Sequence, residues 1–245
     1  MRTSDPESVR HAAAAIVLGT MVTVIAVLLG NWQMRRGDAK EALQVRRDAA
    51  ESAAPVTLSA LADLAETVEP LPRRVRAAGV FIPEATVFVD NRPLEGRAGF
   101  QVVTPLRIAG DAVVLVSRGW VARDLRDPAA VPRVGTPDGA VEIEGMAVER
   151  VPRLMELARP QSQKVPGIWP NLDFDAYQQA AGLKVARFVV QQTSEQPDGL
   201  KRIWPRPDYG VHTHRGYAFQ WFGLALLAGG LTLFFGWRAF GPKRL

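Results

Sequence analysis

Two long apolar runs stand near the ends of the chain, separated by a polar stretch with short apolar segments. Ala12 to Gly30 reads AAAAIVLGTMVTVIAVLLG, 19 residues without a charge. Gly216 to Trp237 reads GYAFQWFGLALLAGGLTLFFGW, with Gln220 its only strongly polar side chain. About 20 helical residues cross a hydrocarbon core of about 30 Å, so each run predicts a membrane-spanning helix. Tyr217 and Trp237 bracket the second run as interfacial aromatics. Ala26 with Gly30 and Ala225 with Gly229 place small residues four apart, a spacing that lets helix backbones approach closely.

Arg2 and Arg10 precede the first run as the basic region of a signal peptide would. Its 19 residues exceed the apolar core of a signal, about 7–15, and the following GNWQMRRGDA offers no small-x-small cleavage site. The run therefore predicts an uncleaved anchor. Two spans put both termini on one side of the membrane and residues 31–215 on the other. Arg35, Arg36, Lys40, Arg46 and Arg47 follow the first span, against Arg2 and Arg10 before it. Taken literally, that excess holds the middle domain in the cytoplasm. Domains beyond about 60 residues translocate largely regardless of charge, so sequence physics leaves the orientation open.

Between the spans, Arg36 to Ala54 is rich in Ala, Glu and Arg and continues the first helix as far as Pro55. Thr57 reads as the N-cap of a short helix from Leu58 to Glu66. From Arg73 the texture changes to short β-branched runs bounded by Gly, Pro, Asn and Asp, which predicts antiparallel strands. These are Arg73 to Val80, Thr86 to Asp90, Phe100 to Arg107, Ala112 to Ser117, Val141 to Val148 and Arg187 to Thr193. Ala109, Gly110 and Asp111 join two of them as a hairpin. Pro128 to Pro137 and Pro160 to Pro170 read as surface loops, and Asp173 to Gly182 as a capped short helix. The fold class expected is α+β: two transmembrane helices, 12–30 and 216–237, flank a β-rich antiparallel extramembrane domain, 31–215, with a few short helices. Short tails, 1–11 and 238–245, complete the chain.

Composition changes this picture little. The 245 residues are 47% hydrophobic and 22% charged, as in an ordinary soluble protein, and the net charge is +5. The basic excess gathers beside the apolar runs, which points to membrane flanking and away from nucleic acid. The cysteine count is zero, which excludes disulfides, thiolate zinc or copper sites and thiol nucleophiles.

Candidate chemistry is sparse. His11, His212 and His214 all lie at the membrane ends and none falls within residues 31–210, so a catalytic triad has no histidine there, and no phosphate loop, dinucleotide fingerprint or HExxH motif is present. The protein is therefore expected not to be an enzyme. Glu142 and Glu144 read as a solvated strand edge. Arg92, Arg97 and Arg118 have the guanidinium forks that hold carboxylates such as propionates, or they pair with nearby acids. Gly119 and Trp120 suggest a tight turn at a strand end, with the indole in the core. At the mouth of the second span, His214, Tyr217, Ala218, Trp221 and Ala225 share one helical face. A neutral imidazole is a good axial ligand for haem iron, and aromatics beside it suit a flat apolar ring. Interfacial histidines in an aromatic belt are the alternative.

The chain resembles the surfeit locus protein 1 family, membrane proteins that assist assembly of haem-copper cytochrome oxidases. Three blocks in order carry the likeness: Leu29, Gly30, Trp32, Gln33, Arg36 and Lys40; then Arg92, Gly99, Val102 to Leu106 and Leu115 to Val121; then His214, Tyr217, Ala218, Trp221, Phe222, Leu224 and Ala225. The resemblance implies a bacterial inner-membrane protein with a periplasmic domain and cytoplasmic termini. It implies a role in delivering haem a to, or stabilising it in, the large oxidase subunit, with His214 as iron ligand; the helical face they share with it adds Tyr217 and Trp221 as the ring-packing face. Its expected partners are that subunit, the lipid bilayer and the machinery of haem a synthesis. A scaffold that grips an oxidase subunit without holding haem is the alternative. Copper delivery fits poorly with five scattered methionines and no cysteine.

Overall fold

The computed structural model describes residues 6–58, 71–127, 130–153, 164–205 and 210–240. The chain divides into two compact units, Met1–Val45 with Pro207–Leu245, and Arg46–Arg206.

The first unit is a pair of membrane helices. Helix α1, Pro6–Ser52, carries the first apolar run and continues without a break to just before Pro55, as its composition predicts. Its 47 residues correspond to about 70 Å at 1.5 Å each, more than twice a bilayer core. The last helix, called α3 below, spans Val211–Phe240. Both are long and apolar enough to cross a membrane, and their large side chains face outward: Phe219 and Leu226 are each 80% exposed. The two helices run antiparallel and meet along small residues. A β-carbon on Gly19 would strike Thr232, one on Gly30 would lie 2.7 Å from the Phe222 ring, and one on Gly229 would lie 3.4 Å from Thr23. Ala26, Ala218 and Ala225 are buried at this seam. Both small-residue pairs expected from the sequence lie along it. Thr23 and Thr232 donate their hydroxyls to the carbonyls of Gly19 and Ala228, so neither leaves a polar group unmatched in lipid.

The second unit is a mixed sheet of eight strands. The strands are β1 (Val56–Leu58), β2 (Arg73–Phe81), β3 (Val87–Val89), β4 (Gly99–Ile108), β5 (Val113–Ala122), β6 (Ala140–Val148), β7 (Gly167–Trp169) and β8 (Val185–Gln192). Their order is β1-β2-β6-β8-β5-β4-β3-β7, and β2 also pairs with β4 through Gly79–Phe81 and Leu106–Ile108. That extra pairing closes β2, β6, β8, β5 and β4 into a ring. Alternate residues of β5 then face two different cores: Val114 and Val116 join Phe81, Leu106, Ile143 and Phe188, whereas Val113 and Leu115 join Trp169, Tyr177 and Val189. Burial on both faces explains why β4 and β5 read as unbroken apolar runs.

Helix α2, Phe174–Ala181, lies where the Asp and Gly signals place it. Asp173 accepts from the N–H groups of Asp175 and Ala176, and Gly182 ends the helix in the left-handed region at φ 66°. The Ala176 hydrogen bond, aided by Arg153, holds the Asp173 carboxyl below the usual carboxylate range. The helix projects Tyr177 into the second core, where its hydroxyl donates to Ala85 O at 2.6 Å. Burial pushes that phenol well above its ordinary range.

The structure corrects the sequence reading at several points. The sheet is not antiparallel throughout: β1–β2, β3–β7 and β5–β8 are parallel. Thr57 is not an N-cap but the middle of β1, which ends at Leu58; the rest of the expected helix to Glu66 lies outside the described residues. The loop expected from Pro160 to Pro170 contains β7, and β5 extends five residues past Ser117 to Ala122. Glu142 and Glu144 lie on the part of β6 that pairs in register only with β2, since its register with β8 begins at Gly145, and Glu142 is exposed as expected. Glu144 takes salt bridges from Arg74 and Arg76, and its hydrogen bond with Arg76 holds the carboxyl below its usual range.

Candidate functional site

The sequence points to two places, the arginines of the domain and the histidine at the membrane mouth. Among the described residues no group of three or more His, Asp or Glu is placed to hold a metal ion.

In the domain, Arg118 is formed by an irregularity of the sheet. Val102 of β4 pairs with Gly119 and Val103 with Ser117, so Arg118 is the extra residue of a β-bulge. A bulge re-aims the side chain it carries. It also redirects the strand: Ser117 still pairs with Gln191 of β8, but Trp120 exchanges backbone hydrogen bonds with Lys201. Gly119 has φ 155°, and a β-carbon there would come within 2.8 Å of Leu200, so a glycine is required for the 198–202 segment to close on the bulge. The tight turn expected at Gly119 and Trp120 is this bulge within a strand. Trp120 is buried as expected, and its Nε1 donates to Arg92 O at 2.6 Å.

The redirected segment delivers two partners. Arg118 Nη2 donates to Asp198 Oδ2 at 2.9 Å and to Gly135 O at 2.7 Å, while Nη1 donates to Thr136 Oγ1 at 2.8 Å. Arg202 Nη2 donates to the same Asp198 oxygen at 2.6 Å. All three side chains are at most 3% exposed. Burial pulls the Arg118 guanidinium below its ordinary range, and Asp198 opposes that pull. The guanidinium face also lies over the Phe81 ring at 5.0 Å. A neighbouring cleft of about 440 Å³ is lined by Arg118, Arg133, Thr86, Phe88 and Val134 among others. Both terminal nitrogens of Arg118 are already held by the protein. It ties β5 to the 135–136 segment and the 198–202 segment, the pairing with an acid that the sequence allowed. Arg92 donates to Pro152 O and Asn91 O, and Arg97 forms a backbone bridge with Leu94, so among the described residues the three arginines share no hydrogen-bond partner.

At the membrane mouth, the first helix pair brings one polar contact to His214. Its Nδ1 lies 2.7 Å from Gln33 Oε1, although 181 positions separate the two in sequence. Gly37 faces His214 at the helix seam, where a β-carbon on it would lie 3.7 Å from the His214 β-carbon. Among the described residues no hydrogen bond reaches His214 Nε2, so one ring nitrogen is held and the other retains its capacity for a ligand. On the same helical face Ala218 and Ala225 pack into the seam, Trp221 is partly buried, and Tyr217 is half exposed. His212 is exposed. Arg215, the next residue after His214, pairs with Glu41 of α1. Gln33, Asp198 and Arg202 are the residues whose structural roles the sequence reading left unassigned. Gln33 carried a signal, a strongly polar side chain between Gly30 and Gly37; Asp198 carried only an Asp-Gly turn signal.

A membrane-anchored α+β protein with two spans and a histidine at the mouth of the second is the class these features define. A sequence model of the SURF1 family matches residues 20–226, from within the first span to within the second, and the chain belongs to that family. SURF1 proteins are known as oxidase assembly factors. The chain is 28% identical over 218 residues to a SURF1-like protein of Rickettsia felis, covering 86% of this chain and 91% of that one. It is 26% identical over 209 residues to a SURF1-like protein of Rickettsia bellii, covering 82% of each. An uncharacterized SURF1-like protein of Mycobacterium tuberculosis is 27% identical over 232 residues, covering 88% of this chain and 79% of that one.

Proposed function

We propose that this protein assists assembly of a haem-copper cytochrome oxidase by delivering haem a to, or stabilising it in, the large subunit, with His214 as axial iron ligand. The observation that carries the reading is the state of His214: Nδ1 is held by Gln33, and among the described residues Nε2 has no hydrogen-bond partner. Haem supplies the iron that takes such a nitrogen. The half-exposed Tyr217 and partly buried Trp221 supply flat apolar surface beside the imidazole. Purified from cells that make haem a, the wild-type protein is expected to carry haem by its absorption spectrum. His214→Ala should lose most of it and His212→Ala should keep it. Equal haem in wild type and His214→Ala removes the ligand role.

Ala218 and Ala225 are covered by the first helix, which narrows the face open to a ring and supports the second reading, a scaffold that grips an oxidase subunit without haem. Unchanged oxidase maturation in His214→Ala would select it.

On this reading the domain lies in the periplasm and both termini in the cytoplasm of a bacterial inner membrane. The family likeness supports this orientation against the arginines that follow the first span. A reporter active only in the periplasm, fused after Arg126, should be active; a silent reporter reverses the topology.

A further inference from the structure

Resting on the reading of His214 as a haem ligand, we propose that Gln33 is its positioning residue: it fixes the imidazole as the Nδ1–H tautomer and so leaves Nε2 unprotonated for iron. A neutral imidazole carries one proton on two nitrogens, and only the bare nitrogen can ligate a metal. The side-chain atom of Gln33 that faces Nδ1 at 2.7 Å is the carbonyl oxygen Oε1, which accepts and cannot donate. With Oε1 in that place, the neutral ring carries its proton on Nδ1. An amide turned the other way would present N–H groups, force Nδ1 to accept and put the proton on Nε2, closing the ligand site.

Position and packing support the same role. Gln33 lies on α1 between Gly30 and Gly37, one turn from each, on the face that meets α3. Phe222 occupies the space over Gly30, and His214 faces Gly37. Gly30 and Gly37 therefore bracket Gln33 on this face, and its amide reaches the ring. Metal-ligating histidines commonly donate their second N–H to such an oxygen, and losing that partner typically weakens metal affinity by about 10–100-fold. A residue that merely joined two helices would have no influence on which ring nitrogen holds the proton.

The test uses the full-length, haem-free protein labelled with nitrogen-15 at histidine, in detergent. Two-bond proton–nitrogen correlations report the tautomer, and His214 is assigned by its loss in His214→Ala. Wild type should show Nδ1–H. Gln33→Leu should shift the population towards Nε2–H, and Gln33→Glu, which keeps an oxygen acceptor, should restore Nδ1–H. Titration with iron protoporphyrin IX should give a dissociation constant about tenfold or more weaker in Gln33→Leu, with recovery in Gln33→Glu. Nε2–H in the wild type overturns the proposal without any substitution, and so does a tautomer that Gln33→Leu leaves unchanged. If Nδ1–H is found but wild type and His214→Ala bind the porphyrin equally, the haem reading fails while the role of Gln33 in setting the tautomer stands.

Discussion

Asp198→Ala is expected to lower the melting temperature of the β-domain by about 6–20 °C, measured on the detergent-solubilised full-length protein by near-ultraviolet circular dichroism. The carboxylate lies between two guanidinium groups, Arg118 at 2.9 Å and Arg202 at 2.6 Å, and all three side chains are at most 3% exposed. Removing the anion leaves two buried cations facing each other, the situation in which a broken buried pair costs about 3–5 kcal/mol. The Leu200 N–H loses its Asp198 acceptor as well. Arg118→Met should cost less, because Asp198 keeps Arg202 and the methionine fills part of the space left. This ordering separates the charge argument from a simple volume argument, under which deleting the larger arginine would be worse. A shift below about 3 °C for Asp198→Ala would mean that water or rearrangement satisfies the guanidiniums and that the cluster is not a tie.

How much of this was legible beforehand depended on the range of the interactions. The spans follow from apolar length, the β4–β5 hairpin from two apolar runs around Ala109, Gly110 and Asp111, and α2 from Asp173 and Gly182; each signal lies within a few residues of the structure it sets. Strand β1 is different. Its three residues are extended because Val56, Thr57 and Leu58 pair with Val75, Arg76 and Ala77 of β2, and nothing local distinguishes them from a helix start. Strand β7 is similarly held by Val87–Val89 of β3. The ring closure, the parallel pairings and the bulge at Arg118 are all settled by partners distant in sequence. So are the two contacts that matter most for function and stability. Arg118 meets Asp198 across 80 positions, and Gln33 meets His214 across 181. The sequence identified Arg118 and His214 by their chemistry, whereas the weaker signals at Asp198 and Gln33 did not say what those residues meet.

The second large effect is expected in the membrane unit, where Gly30→Ile should separate α1 from α3. A β-carbon at Gly30 would lie 2.7–2.9 Å from three atoms of the Phe222 ring. In Gly30→Ala a modest rotation of that ring relieves the contact; a branched isoleucine adds atoms on both sides of the β-carbon and leaves the ring no such escape. Overpacking of this kind costs about 1–3 kcal/mol, and in lipid no hydrophobic drive between helices compensates for it. The absence of native cysteine provides a clean reporter. Thr23→Cys with Gly229→Cys puts a sulfur pair at a point where a Gly229 β-carbon lies 3.4 Å from Thr23 Cγ2, two turns from the substitution. That pair should cross-link readily in the parent and with Gly30→Ala, and about tenfold less at equilibrium with Gly30→Ile, since about 1.4 kcal/mol is a factor of ten. The same separation should break the Gln33 contact, one turn from Gly30, and move the His214 proton towards Nε2. Unchanged cross-linking in Gly30→Ile would show that the seam does not depend on close approach at Gly30. Loss of cross-linking with an unaltered His214 tautomer would show that the helix seam and the imidazole are set independently.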